Sequence, residues 1–232
     1  MSHQLTIEPL GQTIDIEEGQ TILDAALRAG IYLPHACGHG LCGSCKVQVT
    51  DGDIEHGDAS GFALMDYERE EGLCLACCAT VESDVVVEAE IDEEPDALNL
   101  LVQDFAGTVS RIEDLTPTIK GVWIALDTPL TFQAGQYINL HIPGEGSTRA
   151  FSIASAPAQK TEIELNIRRV PGGMGTGWVH DQLRAGERVK IVGPYGRFFL
   201  RESAHLAQDL GYLFLAGGSG LSSPKSMIAE LL

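Results

Sequence analysis

HACGHGLCGSCKV (35–47) places three cysteines, Cys37, Cys42 and Cys45, in one short segment with Gly38, Gly40, Gly43 and Ser44. Their spacing is C-x4-C-x2-C. With 28 residues between Cys45 and Cys74, a second stretch, GLCLACCA (72–79), adds Cys74, Cys77 and Cys78. The start, MSHQLTIEPLGQTIDIEE, has no apolar segment of the kind a signal peptide carries. No run reaches the roughly 18 apolar residues of a membrane span. The expectation is a soluble, cytoplasmic protein, and there clustered thiols point to metal or redox chemistry rather than to structural disulfides.

C-x4-C-x2-C is the spacing of the thiolates that hold a plant-type 2Fe–2S cluster, with the fourth thiolate supplied from farther along. The glycines fit that chemistry. Cluster sulfurs carry negative charge that backbone N–H groups stabilise, and a loop wrapped so tightly needs residues free of Cβ constraints. A Rieske centre would use the C-x-H of Cys37 and His39, but it also needs C-x2-H, which no cysteine here supplies. Zinc would use Cys42/Cys45 and Cys74/Cys77, both C-x2-C pairs. The 28-residue gap exceeds ribbon spacing, and zinc leaves Cys37 and the glycine loop unexplained. His35 and His39 read as loop residues without a ligand role. Spacing alone leaves open which downstream thiol completes the site.

Around this loop, LTI and TIDI (5–7, 13–16) alternate about Pro9, Leu10 and Gly11 and predict a hairpin. TILDAALRAG (21–30) predicts a helix, with Thr21 as N-cap, Ile22, Leu23, Ala26 and Leu27 on one face, and Gly30 as the stop. KVQV (46–49) and DVVVEAEI (84–91) predict further strands, so residues 1–96 read as a small α+β module. That module holds 21 acidic residues against Arg28, Lys46 and Arg69, whereas residues 97–232 carry 12 of each sign. The whole net charge of −18 therefore lies before residue 97. Such a surface repels nucleic acid and anionic membrane and suits steering toward a basic protein patch.

From Ala106 the pattern becomes GTVSRI, GVWIALD, QYINLHI, AFSIAS, EIELNIRRV and RVKIVG, punctuated by PGEG (143–146), VPGG (170–173) and GPYG (193–196). Six short strands at this spacing predict an antiparallel barrel over residues 97–207, interrupted by one helix around Gly177–Leu183. GYLFLAGGSGLSSPKSMIAELL (211–232) then predicts an exposed apolar strand, a glycine turn and a helix whose face has no partner.

The Cys37–Cys45 loop followed by G-x-x-L-x-C (Gly72, Leu75, Cys77) resembles plant-type ferredoxin domains of the β-grasp fold. The resemblance implies Cys77 as fourth ligand beside Cys37, Cys42 and Cys45. Cys74 and Cys78 are then expected on the opposite side of an extended segment, as small buried hydrophobes. Arg149-Ala150-Phe151-Ser152 resembles the Arg-x-aromatic-Ser motif of the ferredoxin–NADP reductase family's flavin barrel. It implies an Arg149 guanidinium on the FAD diphosphate, Phe151 against the ring and the Ser152 hydroxyl at the flavin N5 edge, where the chemistry occurs. Ile167 and Arg168 continue this site. Gly173, Met174, Gly175 and Thr176 sit at a helix start, where free N–H groups bind phosphate. Gly217, Gly218, Ser219 and Gly220 resemble the opening phosphate loop of that family's nicotinamide domain, so residues 208–232 read as the truncated start of an α/β NAD-binding domain.

This order of modules is similar to the reductase components of bacterial aromatic oxygenases, and within them to those of phenol hydroxylases. The resemblance implies that a hydride from NADH, two electrons, is taken up by FAD and released singly to the cluster, then to an oxygenase component docked on the acidic module. A reductase of a Rieske-type ring dioxygenase or of another di-iron monooxygenase is the alternative. The stop at Leu232 is expected to leave the cluster and FAD bound and the reaction with NADH slow.

Overall fold

The computed structural model describes residues 2–91, 94–144, 147–203, 206 and 211–232. The middle of the acidic run 91–96, the end of PGEG and the expected boundary at 207/208 lie outside the described residues. The chain forms two compact units, Met1–Glu94 and Pro95–Leu232.

In the first unit, β1 (Ser2–Glu8) and β2 (Gln12–Glu17) form the hairpin, in a register that sets Leu5 opposite Ile14. Their alternation turns Leu5, Ile7 and Ile16 into the core. The helix α1 (Ile22–Arg28) starts where the Asp24 N–H donates to Thr21 Oγ1, and Arg28 binds the Asp24 carboxylate one turn later. It buries Ile22, Leu23, Ala26 and Leu27, the predicted face, together with Ala25. After the cysteine loop come β3 (Lys46–Asp51), β4 (Ile54–Glu55), α2 (Asp66–Glu70), β5 (Leu73–Leu75), β6 (Thr80–Val81) and β7 (Val85–Glu88). The main sheet runs β2-β1-β7-β3-β5, with β1 and β7 parallel and the other pairs antiparallel. Elements of two to five residues such as β4, β5, β6 and α2 leave no readable period in a sequence.

The second unit is built on β8 (Gln103–Thr116), β9 (Ile119–Leu126), β10 (Tyr137–Ile142), β11 (Ser147–Ser152), β12 (Glu162–Arg168) and β13 (Arg188–Tyr195). They form one antiparallel sheet in the order β11-β10-β13-β8-β9-β12. Ile153, just past β11, bridges Leu165 of β12 and so brings the two outer strands together. Val109, Val122, Ile124, Ile138, Leu140, Ile163, Leu165 and Ile191 fill the interior.

Three expectations need correction. The helix α3 spans Met174–Asp181 and so begins three residues before Gly177. Gly-Gly-Met-Gly has poor helix propensity, but the Gly177 N–H bonds to Gly173 O and Thr176 Oγ1 accepts from Val170 N, which closes the first turn. Past residue 210, residues 211–217 form no strand; a Gly218–Leu221 3-10 turn leads directly into α4 (Ser222–Leu231). Leu213 and Leu215 lie exposed, because a strand needs a pairing neighbour and the outer strands of this sheet already face each other. Nor is the face of α4 unpartnered. Lys225 Nζ sits on both oxygens of the buried Glu164, at 2.5 and 2.6 Å. Ser226 Oγ donates to Ser155 O at 2.6 Å, Ser223 Oγ donates to Gly135 O, and Met227 is buried. Among the described residues no helix is long and apolar enough to cross a membrane.

Candidate functional site

The cysteine loop is assembled by a strand pair. β3 starts one residue after Cys45, and its antiparallel register with β5 sets Lys46 opposite Leu75 and Val47 opposite Cys74. The Ala76 N–H then donates to Cys45 O at 2.9 Å, so the chain delivers Cys77 to the loop. There the Gly40 N–H donates to Cys77 Sγ at 3.3 Å and the His39 N–H to Cys37 Sγ at 3.4 Å. The Cys45 carbonyl and the Gly40 N–H thus hold the segment carrying Cys77 against the loop of Cys37, Cys42 and Cys45. Among the described residues no three His, Cys, Asp or Glu side chains converge as a single-ion site would require.

The electrostatics divide the thiols. Burial pushes Cys42 up, but bonds from the side chain and backbone of Ser44 and from Cys37 outweigh it and bring the thiol down to about 6. The bond with Cys77, followed by burial, holds Cys45 far above the ordinary thiol range. Burial, and then the charge of Cys45, pushes Cys74 up to about 12, which suits an inert core thiol. The loop glycines are required by conformation: Gly38, Gly40 and Gly43 have φ of 67°, 71° and 74°, in the left-handed region. Gly40 is also required by space, since a Cβ there would lie 2.7 Å from Cys78 Sγ. The thiol donor set and the N–H cradle fit a 2Fe–2S cluster. His35 Nδ1 meets Leu33 O at 2.8 Å and stays in the loop.

The expected disposition of the other two thiols holds only for Cys74, which lies buried in β5. Cys78 Sγ is 3.7 Å from Cys77 Sγ, on the same side. The reason is local: β5 ends at Leu75, and Cys78 N and Ala79 N both bond to Leu75 O in a turn, so period-two alternation stops before Cys77.

In the second unit, β11 carries Arg149, Ala150, Phe151 and Ser152, which pair with Leu140, Asn139, Ile138 and Tyr137 of β10. Phe151 packs against the barrel core and Arg149 Nη1 donates to Thr148 O at 2.8 Å. The start of α3 lies against this strand: a Cβ on Gly175 would come 2.8 Å from Arg149 Cγ. Gly173, Met174, Gly175 and Thr176 are thus gathered beside the Arg149 side chain, where a fixed positive charge and a helix N-terminus suit an anion. On β12, Ile167 is buried and Arg168 exposed. A Cβ on Gly218 would lie 3.9 Å from Arg168 Nη1, which sets the 217–220 turn beside that strand end.

Sequence reading missed two neighbours. The Ile153–Leu165 bridge, continued one step, sets Asn166 opposite Ser152, and Asn139 pairs with Ala150. The buried oxygens Asn139 Oδ1 and Asn166 Oδ1 have no hydrogen-bond partner. Unsatisfied buried acceptors flanking the Arg149–Ser152 strand call for donors from a ligand, and the N–H edge of a flavin ring supplies them. FAD therefore fits the residues present. The available signal was faint: an asparagine at an outward strand position ordinarily reads as solvated.

Residues 5–82 match the family described as 2Fe-2S iron-sulfur cluster binding domain, and residues 106–200 match the oxidoreductase FAD-binding domain. The chain is 59% identical over 232 residues to the phenol hydroxylase P5 protein of Acinetobacter pittii. It is 56% identical over 232 residues to the reductase component of phenol 2-monooxygenase of Pseudomonas sp.. All of this chain is covered in both, but it spans only 65% of the length of each. Among solved structures, the Amycolatopsis cytochrome P450 reductase superposes with a TM-score of 0.86 at 35% identity, covering 97% of this chain and 67% of that one. The chain belongs to the reductase family that joins a 2Fe-2S iron-sulfur cluster binding domain to an oxidoreductase FAD-binding domain.

Proposed function

We propose that this chain is the electron-delivering reductase of a multicomponent, phenol-type aromatic monooxygenase, drawing on NADH and acting in the cytoplasm. Bound together, FAD and a 2Fe–2S cluster supply the conversion of a two-electron hydride into single electrons. The observation that carries the reading is that Cys77 is held against the Cys37–Cys45 loop by the Gly40 N–H on its sulfur, in the same chain as a flavin-type strand.

The protein's part is positional. Cys37, Cys42, Cys45 and Cys77 would hold the cluster, and the His39 and Gly40 N–H groups donate to the Cys37 and Cys77 sulfurs. Arg149 and the α3 start, Gly173 to Thr176, grip the FAD diphosphate. Phe151 would lie by the ring, Ser152 would offer its hydroxyl near N5, and Asn139 and Asn166 would accept from the ring's N–H groups. Ile167 and Arg168 border this site. The 217–220 turn, Gly217, Gly218, Ser219 and Gly220, opens the nicotinamide site. Residues 1–96, 97–207 and 208–232 are the corresponding functional divisions. The acidic surface of residues 1–96, without affinity for nucleic acid or membrane, steers the module onto a basic patch of the oxygenase component.

The purified chain is expected to show flavin bands together with iron–sulfur absorbance, and to carry about two irons and two sulfides. Its electron transfer to the purified oxygenase component should slow as salt shortens the Debye length to roughly 10 Å at 0.1 M. A spectrum lacking either chromophore overturns the cofactor assignment. Transfer indifferent to ionic strength overturns the acidic docking.

A further inference from the structure

We propose that the Cys78 thiol, outside the ligand set, is a hydrogen-bond donor to the Cys77 sulfur and raises the reduction potential of the cluster. The inference rests on the reading that this module holds a 2Fe–2S cluster through Cys77. The two sulfurs lie 3.7 Å apart, within reach of an S–H···S contact. The direction follows from chemistry: a thiolate bound to iron has no proton, so Cys78 donates and Cys77 accepts.

The surroundings give the thiol little freedom. The Cys78 N–H is held by Leu75 O at 2.9 Å. On one side the backbone at Gly57 approaches so closely that a Cβ there would meet Cys78 O at 2.6 Å. On the other, Gly40 leaves the space its missing Cβ would take, 2.7 Å from Cys78 Sγ. The same Gly40 donates its N–H to Cys77 Sγ. Cys77 thus receives one donor from the loop and a second from its own neighbour in sequence. Cys74, equally rich in sulfur and fully buried, pairs with Val47 in the sheet and serves as the control.

Hydrogen bonds to ligand sulfur withdraw electron density and offset the charge added on reduction, which favours the reduced cluster. An S–H group is a weak donor, so the effect is modest. Cys78→Ala is expected to lower the reduced-to-oxidised ratio at a fixed ambient potential by about threefold to tenfold, tenfold being about 59 mV for one electron. Cys74→Ala should leave it unchanged.

The test is an anaerobic redox titration of the cluster in the full chain, normalised to iron and acid-labile sulfide. Wild type without iron and sulfide would sink the cluster assignment itself. With the cluster present, Cys78→Ala titrating at the wild-type potential, or Cys74→Ala moving as far, overturns the proposal. Should Cys78→Ala hold no cluster, Cys78→Ser decides. Normal cluster content with the hydroxyl donor supports the role, and failure with serine too assigns Cys78 to packing and overturns it.

Discussion

The backbone N–H of Gly40 donates to the sulfur of Cys77 over 3.3 Å, joining residues 37 positions apart. This contact singles out Cys77 among the three downstream cysteines, and it exists only because β5 pairs with β3 and ends at Leu75. It predicts that Cys77→Ser abolishes cluster assembly, since a serine oxygen is a hard, poor substitute for thiolate on iron. Cys74→Ser should retain the cluster while costing about 1–3 kcal/mol of stability through a buried hydroxyl. Iron and sulfide per chain, with a denaturant titration, check both.

Gly38 and Gly40 share a left-handed backbone but differ in surroundings. Nothing lies within 4 Å of a Cβ placed on Gly38, whereas one on Gly40 meets Cys78 Sγ at 2.7 Å and Asp58 O at 3.0 Å. Gly38→Ala should therefore cost only the conformational penalty, about 1–2 kcal/mol. Gly40→Ala adds a clash with Cys78 Sγ and a tight contact with Asp58 O, and so displaces the N–H that Cys77 accepts. The half-life of the cluster against a chelator should shorten far more for Gly40→Ala than for Gly38→Ala. Equal half-lives would show that the close approach is unimportant.

The closeness of Arg149 to the start of α3 predicts that Arg149→Leu weakens FAD binding by tenfold or more, since a hydrogen bond to a charged group contributes about 1.5–3 kcal/mol. Gly175→Val should weaken it too, because the side chain would displace Arg149 from α3. Flavin fluorescence during titration into the apo form measures the affinity. Cluster content should be unchanged in both variants, because the cysteines belong to a separate compact unit.

Lys225 and Glu164 tie α4 to β12, with the carboxylate buried and the ammonium partly exposed. Lys225→Met leaves a buried carboxylate without its cation, and the expected loss is about 1–3 kcal/mol after allowing for exposure of the lysine. Glu164→Gln added to Lys225→Met should restore part of it. A double-mutant cycle in urea supplies the coupling, and strict additivity would mean that the pair contributes nothing.

The sequence by itself determined the α1 face and cap, the six barrel strands and the cysteine spacing of the loop. These features are local: period-two and period-3.6 patterns, a capping residue and fixed cysteine spacing act over a few bonds. Only the tertiary structure decided the rest. The turn after Leu75 brought Cys78 beside Cys77 against the expected alternation. Hydrogen bonds from Val170 and Gly177 began α3 at Met174 despite its glycines. The Ile153–Leu165 bridge set Asn166 beside Ser152, and the apolar stretch at 211–217 stayed out of any sheet because a strand exists only with a neighbour. Each of these depends on partners distant in sequence or on a break in local period, and no pattern within one segment encodes either.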